Sequence, residues 1–335
     1  MKGSNFANIG ITFKGCGSYL PAQVLSNEKI SQIVDTSDEW IKTRTGISNR
    51  RIAQIDENVS DMGFKAALSA MNMANWPSES VDLIILATST PSDLFGSAPI
   101  IQAKLQAKNA LAFDLTAACS GFLFALITAC QYLSSGKYKR ALVIGSDQLS
   151  SYVDWKDRGS CILFGDGAGA MAIEASNDQS NLFGFNLRTD GERGSFLNLH
   201  NKKLNGSIID QIKFRKGEFS NISMNGQEVY KFAVREVPII ISDLLKKTDF
   251  ESVDIDWLIL HQANQRILDA VGERLKINKD KILTNLNKYG NTSAATIPLV
   301  FDEFIRNKKI KKNDIILTSG FGAGLSWGAA LLRWG

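Results

Sequence analysis

VDLIILATST, residues 81–90, has a counterpart 174 residues later in IDWLILHQAN, residues 255–264. Each is an apolar, β-branched run without strict alternation, the pattern of a strand buried on both faces. The runs downstream of each also correspond. LAFDLTAACSGFLFAL (111–126) and KRALVIGSD (139–147) succeed the first, and ILTNLNKYGNTSAATIPLV (282–300) and KNDIILTSG (312–320) succeed the second. Leu86 to Cys119 spans 33 residues and Leu260 to Asn291 spans 31, while Cys119 to Ile144 and Asn291 to Ile316 are both 25. Each unit reads as strand, helix-bearing crossover, strand, helix, strand, so the sequence predicts a duplicated α/β chain.

Both halves close on a glycine-rich turn, FGDGAGAMAIEA (164–175) and SGFGAGLSWGAALLRW (319–334). The first fits G-x-G-x-x-A, but it leads into a strand-like run where a dinucleotide site needs a helix, so NAD is rejected. The glycines there suit tight turns and close approach of backbone N–H groups to a reacting atom. A polar stretch near residues 175–185 is the expected seam between halves 1–178 and 179–335.

A chain of 335 residues, with 44% hydrophobic and 21% charged residues, has ordinary globular composition and room for two domains. The amino-terminal residues lack the apolar core of a signal peptide. The longest apolar run, FLFALITAC, is far shorter than the roughly 18–20 residues of a membrane span. A cytoplasmic protein without membrane attachment is expected. The four cysteines, 16, 119, 130 and 161, form no C-x-x-C pair and have no histidine at ligand spacing, so reduced thiols and no metal are expected. A net charge of +4 is too weak to suggest nucleic acid. Residues 261–312, however, hold 11 Lys/Arg against 5 Asp/Glu, which fits either an acidic partner or a solvated helix surface.

Strand ends gather the chemistry. Cys119 and Asn291 stand at the matched strand-to-helix seams and His261 just past the strand DWLIL, and residues at the carboxyl ends of strands in such sheets converge on one crevice. At a helix start the Cys119 thiol is expected to have a lowered pKa and act as a nucleophile. Cys130 and Cys161, inside apolar runs, read as inert buried thiols, and Asn291 alone would serve equally as a cap. Cys, His and Asn in this order, with 142 residues from Cys to His, also occur in papain-like proteases. The C-G-S-C-W signature is missing here, so a cysteine hydrolase is only an alternative.

DLTAACSGF (114–122), HQAN (261–264) and YGNTSAATIPL (289–299), with TSDEWIKTRTGI (36–47), FGDGAGA (164–170) and GFGAGLSWGAAL (320–331), resemble the β-ketoacyl-acyl carrier protein synthase III family. This is the initiating condensing enzyme of type II fatty acid synthesis, and the resemblance runs from about residue 9 to the end. It implies a thiolase-like fold, with duplicated α/β halves in a five-layered α-β-α-β-α arrangement. Cys119 would take the acyl group of a short acyl-CoA, usually acetyl-CoA. The backbone N–H groups of Cys119 and Ala323 would form the oxyanion hole, and many relatives have Gly where Ala323 stands. His261 and Asn291 would hold the enolate left when malonyl-acyl carrier protein loses CO2, with no metal or redox cofactor. The resemblance places Trp40, Arg44, Arg158 and Asn264 at CoA, and Arg266, Lys231 and Gln262 at the carrier protein. It places Phe95 in a neighbouring subunit's acyl pocket, hence a homodimer. Thr36 and Glu39 have capping-box spacing for the helix presenting Trp40. The alternatives on the same fold are a starter-unit acyltransferase or condensing enzyme of specialised metabolism, and a non-catalytic acyl-binding subunit.

Overall fold

A computed structural model describes residues 9–177, 180–209 and 212–335. Its ten principal strands are β1 Gly10–Tyr19, β2 Leu83–Ala87, β3 Leu111–Leu115, β4 Arg140–Gln148, β5 Asp166–Ser176, β6 Leu182–Thr189, β7 Trp257–Leu260, β8 Ile282–Leu283, β9 Ile315–Gly322 and β10 Ser326–Arg333. They form two sheets, ordered β1-β5-β4-β2-β3 and β6-β10-β9-β7-β8. The second order is the first with five added to each label, and the directions agree: β2 and β7 run parallel to both neighbours, and the other pairings are antiparallel. The predicted duplication is thus present in the pairing itself. The seam expected between 178 and 179 lies outside the described residues; the sheets on either side occupy 10–176 and 182–333.

The principal helices are α1 Asp38–Thr45, α2 Val59–Ala74, α3 Ala98–Leu105, α4 Gly121–Ser134, α5 Gly226–Lys247, α6 Gln265–Arg274 and α7 Thr296–Arg306. Helices α4 and α7 lie between the sheets. Phe122, Leu126 and Ala129 of α4 and Ile297, Val300 and Phe301 of α7 share one buried cluster with Leu83, Ile85 and Val143 of one sheet and Ile259, Ile316 and Leu332 of the other. The outer face of the first sheet, including Ile84, Leu86 and Ile144, packs on α2 and α3. That of the second, including Leu258, Leu260 and Leu317, packs on α5 and α6. Five layers, α-β-α-β-α, result, as expected. They explain the missing alternation in LIILA, because successive side chains point into different helical layers and all are buried.

Composition fixes which helix goes where. GFLFALITACQYLS has no charge and is apolar nearly all round, so it suits the middle layer. In α5 the buried Phe232, Ala233, Val237, Ile240, Ile241 and Leu244 recur at helical spacing and leave the basic residues outside. Packing is close enough at α2 that a Cβ on Gly17 of β1 would overlap the Ala66 carbonyl, so this strand needs glycine there.

Two local expectations change. Helix α1 is capped by Ser37, whose hydroxyl accepts the Trp40 N–H at 3.1 Å, not by Thr36. The matched seams are also offset. Single turns Ala118–Ser120 and Ser293–Ala295 precede α4 and α7, each opening on a residue in the left-handed region, Ala118 (φ 48°) and Ser293 (φ 51°). The counterpart of Cys119 is therefore Ala294. Asn291 stands three residues earlier, where a short helix, Leu286–Tyr289, and Gly290 return the chain to bridge Phe164.

Candidate active site

The carboxyl ends of β3, β7, β8 and β9 carry Cys119, His261, Asn291 and Ala323, in that order. Cys119, His261 and Asn291 are all buried and line one narrow pocket of about 100 Å3, together with Phe321 and Gly322. Gly322 lies against the Cys119 turn: a Cβ there would stand 2.7 Å from the Cys119 nitrogen. The glycine lets the end of β9 lie against the Cys119 turn, with Ala323 the next residue along the chain. Ser120 and Ser326 tie the two turns together, with hydroxyl oxygens 2.7 Å apart.

Cys119 is not at the helix end proper but in the turn before α4. Burial pushes its thiol up to about 12, with the Ser293 hydroxyl at 3.5 Å opposing that rise and the Asp147 charge adding to it. The expected lowering at a helix start is thus overridden by desolvation, and the resting group is a neutral thiol. Its deprotonation must be coupled to a base.

His261 is the candidate. Its backbone N–H donates to the Ser319 carbonyl at 2.8 Å, and its Nδ1 lies 2.7 Å from the Thr296 hydroxyl. Thr296 also has the Ser293 carbonyl at 3.0 Å. A hydroxyl donating to that carbonyl leaves Nδ1 protonated and Nε2 basic; donating to Nδ1, it leaves Nε2–H as a donor. The Phe321 ring meets the imidazole edge to face, with centroids 5.2 Å apart. Burial lowers the His261 pKa to about 3, so the ring is neutral at pH 7.

That shift has a consequence for stability. An unfolded histidine gains a proton as pH falls through about 6.5, while the folded one stays neutral to about 3, so stability is lost with acidification across that window. The loss is about 2 kcal/mol between pH 7 and pH 5. We expect His261→Gln to flatten the dependence of the melting temperature on pH over this range. An unchanged slope would mean that His261 already protonates in the folded protein.

Asn291 donates its backbone N–H to the Leu163 carbonyl at 2.9 Å, and its side-chain Oδ1 accepts the Ser293 N–H at 2.8 Å. With the oxygen end held, the amide NH2 is the end available as a donor. The titratable groups lining the pocket are Cys119, His261 and Tyr230; among the described residues no carboxylate lines it. A thiol, a neutral imidazole and an amide suit chemistry in which negative charge develops on substrate oxygen.

At the approach to the pocket, Trp40 has Arg158 at 4.9 Å and Arg44 at 5.7 Å from its ring centroid. Asn264 lines the pocket, but its amide is committed: it caps α6 through the Arg266 N–H and donates to the Arg44 carbonyl. Arg266 lies over the Tyr230 ring at 5.6 Å, and exposed Lys231 pairs with Glu228. Gln262 is corrected. It is fully buried, its amide donating to the Leu260 carbonyl and accepting from the Thr284 hydroxyl and Asn285 N–H, so it presents no face to a carrier protein. Phe95 and its neighbour Leu94 are exposed on a loop beside an apolar cavity. Ser293 and Thr296 carry no mark of function in the sequence, although both sit inside NTSAAT, and Asp147 is marked only as an acid after the apolar run ALVIG.

Comparison with known proteins gives concordant results. Residues 113–191 match the family model 3-oxoacyl-[acyl-carrier-protein (ACP)] synthase III, and residues 245–334 match that of its C-terminal part. The chain is 72% identical to the β-ketoacyl-[acyl-carrier-protein] synthase III of Prochlorococcus marinus strain MIT 9515, over 99% of each chain. Among solved structures it is similar to 3-oxoacyl-[acyl-carrier-protein] synthase III from Aquifex aeolicus VF5 (TM-score 0.89, 44% identity, 97% of this chain and 100% of that one). It is also similar to the priming β-ketosynthase of the R1128 polyketide biosynthetic pathway (TM-score 0.89, 31% identity, 97% and 96%).

Proposed function

The chain belongs to the β-ketoacyl-[acyl-carrier-protein] synthase III family, and from that premise we propose how its residues carry out the condensation that initiates fatty acid synthesis. Cys119 attacks the carbonyl of acetyl-CoA or another short acyl-CoA. The negative oxygen of the tetrahedral intermediate sits between the Cys119 and Ala323 N–H groups, and the thiol proton passes through Nε2 of neutral His261 to the departing CoA sulfur. The acyl group stays on Cys119. The observation that carries this proposal is a buried thiol sharing one carboxylate-free pocket with a neutral imidazole and an amide.

Malonyl-acyl carrier protein then loses CO2, and the electron pair of the broken bond moves into its thioester as an enolate. Asn291 NH2 donates to that oxygen. His261 joins it as the Nε2–H tautomer, which forms between the half-reactions as solvent supplies a proton to Nε2 and takes the one on Nδ1, the Thr296 hydroxyl then turning from the Ser293 carbonyl to donate to Nδ1. The enolate carbon attacks the acyl carbonyl, 3-ketoacyl-carrier protein leaves, and the Cys119 thiolate takes a proton from solvent. Loss of CO2 drives the bond formation, so the sequence of steps calls for no metal or redox cofactor. The test is product identity: acetyl-CoA and malonyl-carrier protein should give acetoacetyl-carrier protein, CO2 and CoA. Transfer without CO2, or hydrolysis alone, would overturn it.

Substrate delivery rests on the same kind of complementarity. Arg158 and Arg44 against Trp40 form a stack that an adenine ring enters, with the guanidinium groups meeting phosphate. Arg266 and Lys231 meet the acidic carrier protein, supported by their exposure and by the basic balance of residues 261–312. For Arg266→Glu we expect weaker use of malonyl-carrier protein, with the deficit shrinking as salt is raised; wild-type kinetics at low salt would count against this contact. Exposed Phe95 is satisfied by a second copy of the chain, giving a homodimer that sedimentation would detect. Four free, buried cysteines fit a reducing, cytoplasmic compartment.

A further inference from the structure

We propose that Ser293 is a positioning residue whose single hydroxyl proton is shared between the buried Asp147 carboxylate and the Cys119 sulfur, so that it points to the carboxylate while Cys119 is a thiol and turns to the sulfur when that becomes negative. The proposal rests on Cys119 being the nucleophile. Four contacts converge on this one residue. Its hydroxyl lies 3.5 Å from the Cys119 sulfur and is also near enough to Asp147 to draw that carboxyl's pKa down, beside the Ala294 N–H that donates to the same carboxylate at 3.1 Å. Its N–H holds the Asn291 oxygen at 2.8 Å, and its carbonyl accepts from the Thr296 hydroxyl that touches His261. Ser293 therefore touches Cys119 and Asn291 directly and reaches His261 through one hydroxyl.

Asp147 is the unusual member. It lies near the end of β4, an apolar strand, and is wholly buried behind the pocket. Besides Ser293, it accepts from the Ser89 N–H at 2.7 Å, the Ala294 N–H at 3.1 Å, and the Thr88 and Thr90 hydroxyls at 3.1 and 3.2 Å. Burial pushes its pKa up, and these donors pull it back. Five neutral donors around one carboxyl group are the surroundings of an anion. A hydroxyl has one proton to give. While Cys119 is a thiol, the carboxylate is the stronger acceptor and holds it. Once the sulfur ionises, it competes for that proton, and the hydroxyl can turn without any change in the backbone. His261 and Tyr230 are the other titratable groups lining the pocket.

Two substitutions should then act in opposite senses. Ser293→Ala removes the donor from the sulfur. Asp147→Asn removes the nearby negative charge and frees the hydroxyl for the sulfur. Iodoacetamide labelling of Cys119 at pH 8, in the full-length protein and located by peptide mass mapping, reads the thiolate fraction. We expect labelling to slow about tenfold in Ser293→Ala, the scale of one hydrogen bond to a charged group, and to speed up by a similar factor in Asp147→Asn. Ser293→Gly is the second variant: glycine adopts φ 51° freely and keeps both backbone contacts, so it should slow labelling as alanine does. A purely structural role would expose the thiol and speed labelling in all three variants; that result, or unchanged rates, overturns the proposal. If Asp147→Asn does not fold, slowing in both Ser293 variants supports the proposal and its absence overturns it. Acetylation of the wild type by acetyl-CoA is measured in parallel. Should it fail, the nucleophile assignment fails with it; should it succeed while labelling ignores Ser293, only the role given to Ser293 is wrong.

Discussion

Cys119→Ser is expected to take no acetyl group from acetyl-CoA, whereas the wild-type chain gains the mass of one acetyl group and loses it when malonyl-carrier protein is added. The reason is thermodynamic. The site already disfavours an anion at this position, raising a thiol to about 12, and a hydroxyl begins as a far weaker acid than a thiol. The thiolate is also the softer nucleophile toward a thioester. Loss of a nucleophile leaves only binding and the oxyanion donors, so condensation should fall by roughly 10³-fold or more. Intact-mass analysis reads this directly. An adduct on Cys119→Ser at the wild-type rate would move the nucleophile elsewhere, to be located by peptide mapping among Cys16, Cys130 and Cys161.

The second large effect is expected at Asn291, and in the opposite half of the reaction. In Asn291→Asp the Ser293 N–H still has an oxygen to meet, so the local turn is retained. The amide donor, however, is replaced by a negative oxygen facing a developing enolate. A lost oxyanion donor typically lowers the rate about 10²- to 10³-fold, and charge repulsion adds to this. Acetylation of Cys119 should survive, because in the proposed mechanism its intermediate is held by the backbone N–H groups of Cys119 and Ala323. The acetyl-enzyme should therefore accumulate with malonyl-carrier protein present, and release of CO2 should be slow. Equal loss of both half-reactions in Asn291→Asp and Asn291→Ala would show that Asn291 supports the pocket as a whole and does not separate the steps.

These contrasts also show what the chain alone made legible. Cys119, His261 and Asn291 could be grouped before any coordinates because strands of a duplicated sheet end on a common side, and counting residues between apolar runs locates those ends. Counting failed by three residues at Asn291, since the loop after β8 carries an extra helical turn that spacing cannot reveal. The family resemblance puts Gln262 at the carrier protein, yet its side chain turns inward to the Leu260 carbonyl and to Thr284. The Cys119 pKa was misjudged for a related reason: position at a helix start is a local property, but desolvation sums over everything packed around the sulfur. Asp147 had a detectable signal, an acid closing the apolar run ALVIG, and only its five donors give that signal a meaning.

The sequence by itself determined the strand and helix order, the duplication, the layer each helix could occupy and which candidate groups follow the strand ends, because periodicity and residue chemistry are written along the chain. The tertiary structure decided which groups touch, which are neutral and which side chains reach the pocket. Those properties depend on burial and on distances of a few ångströms between residues such as Cys119, Asp147 and Ser293, which meet only when two sheets close on the helices between them.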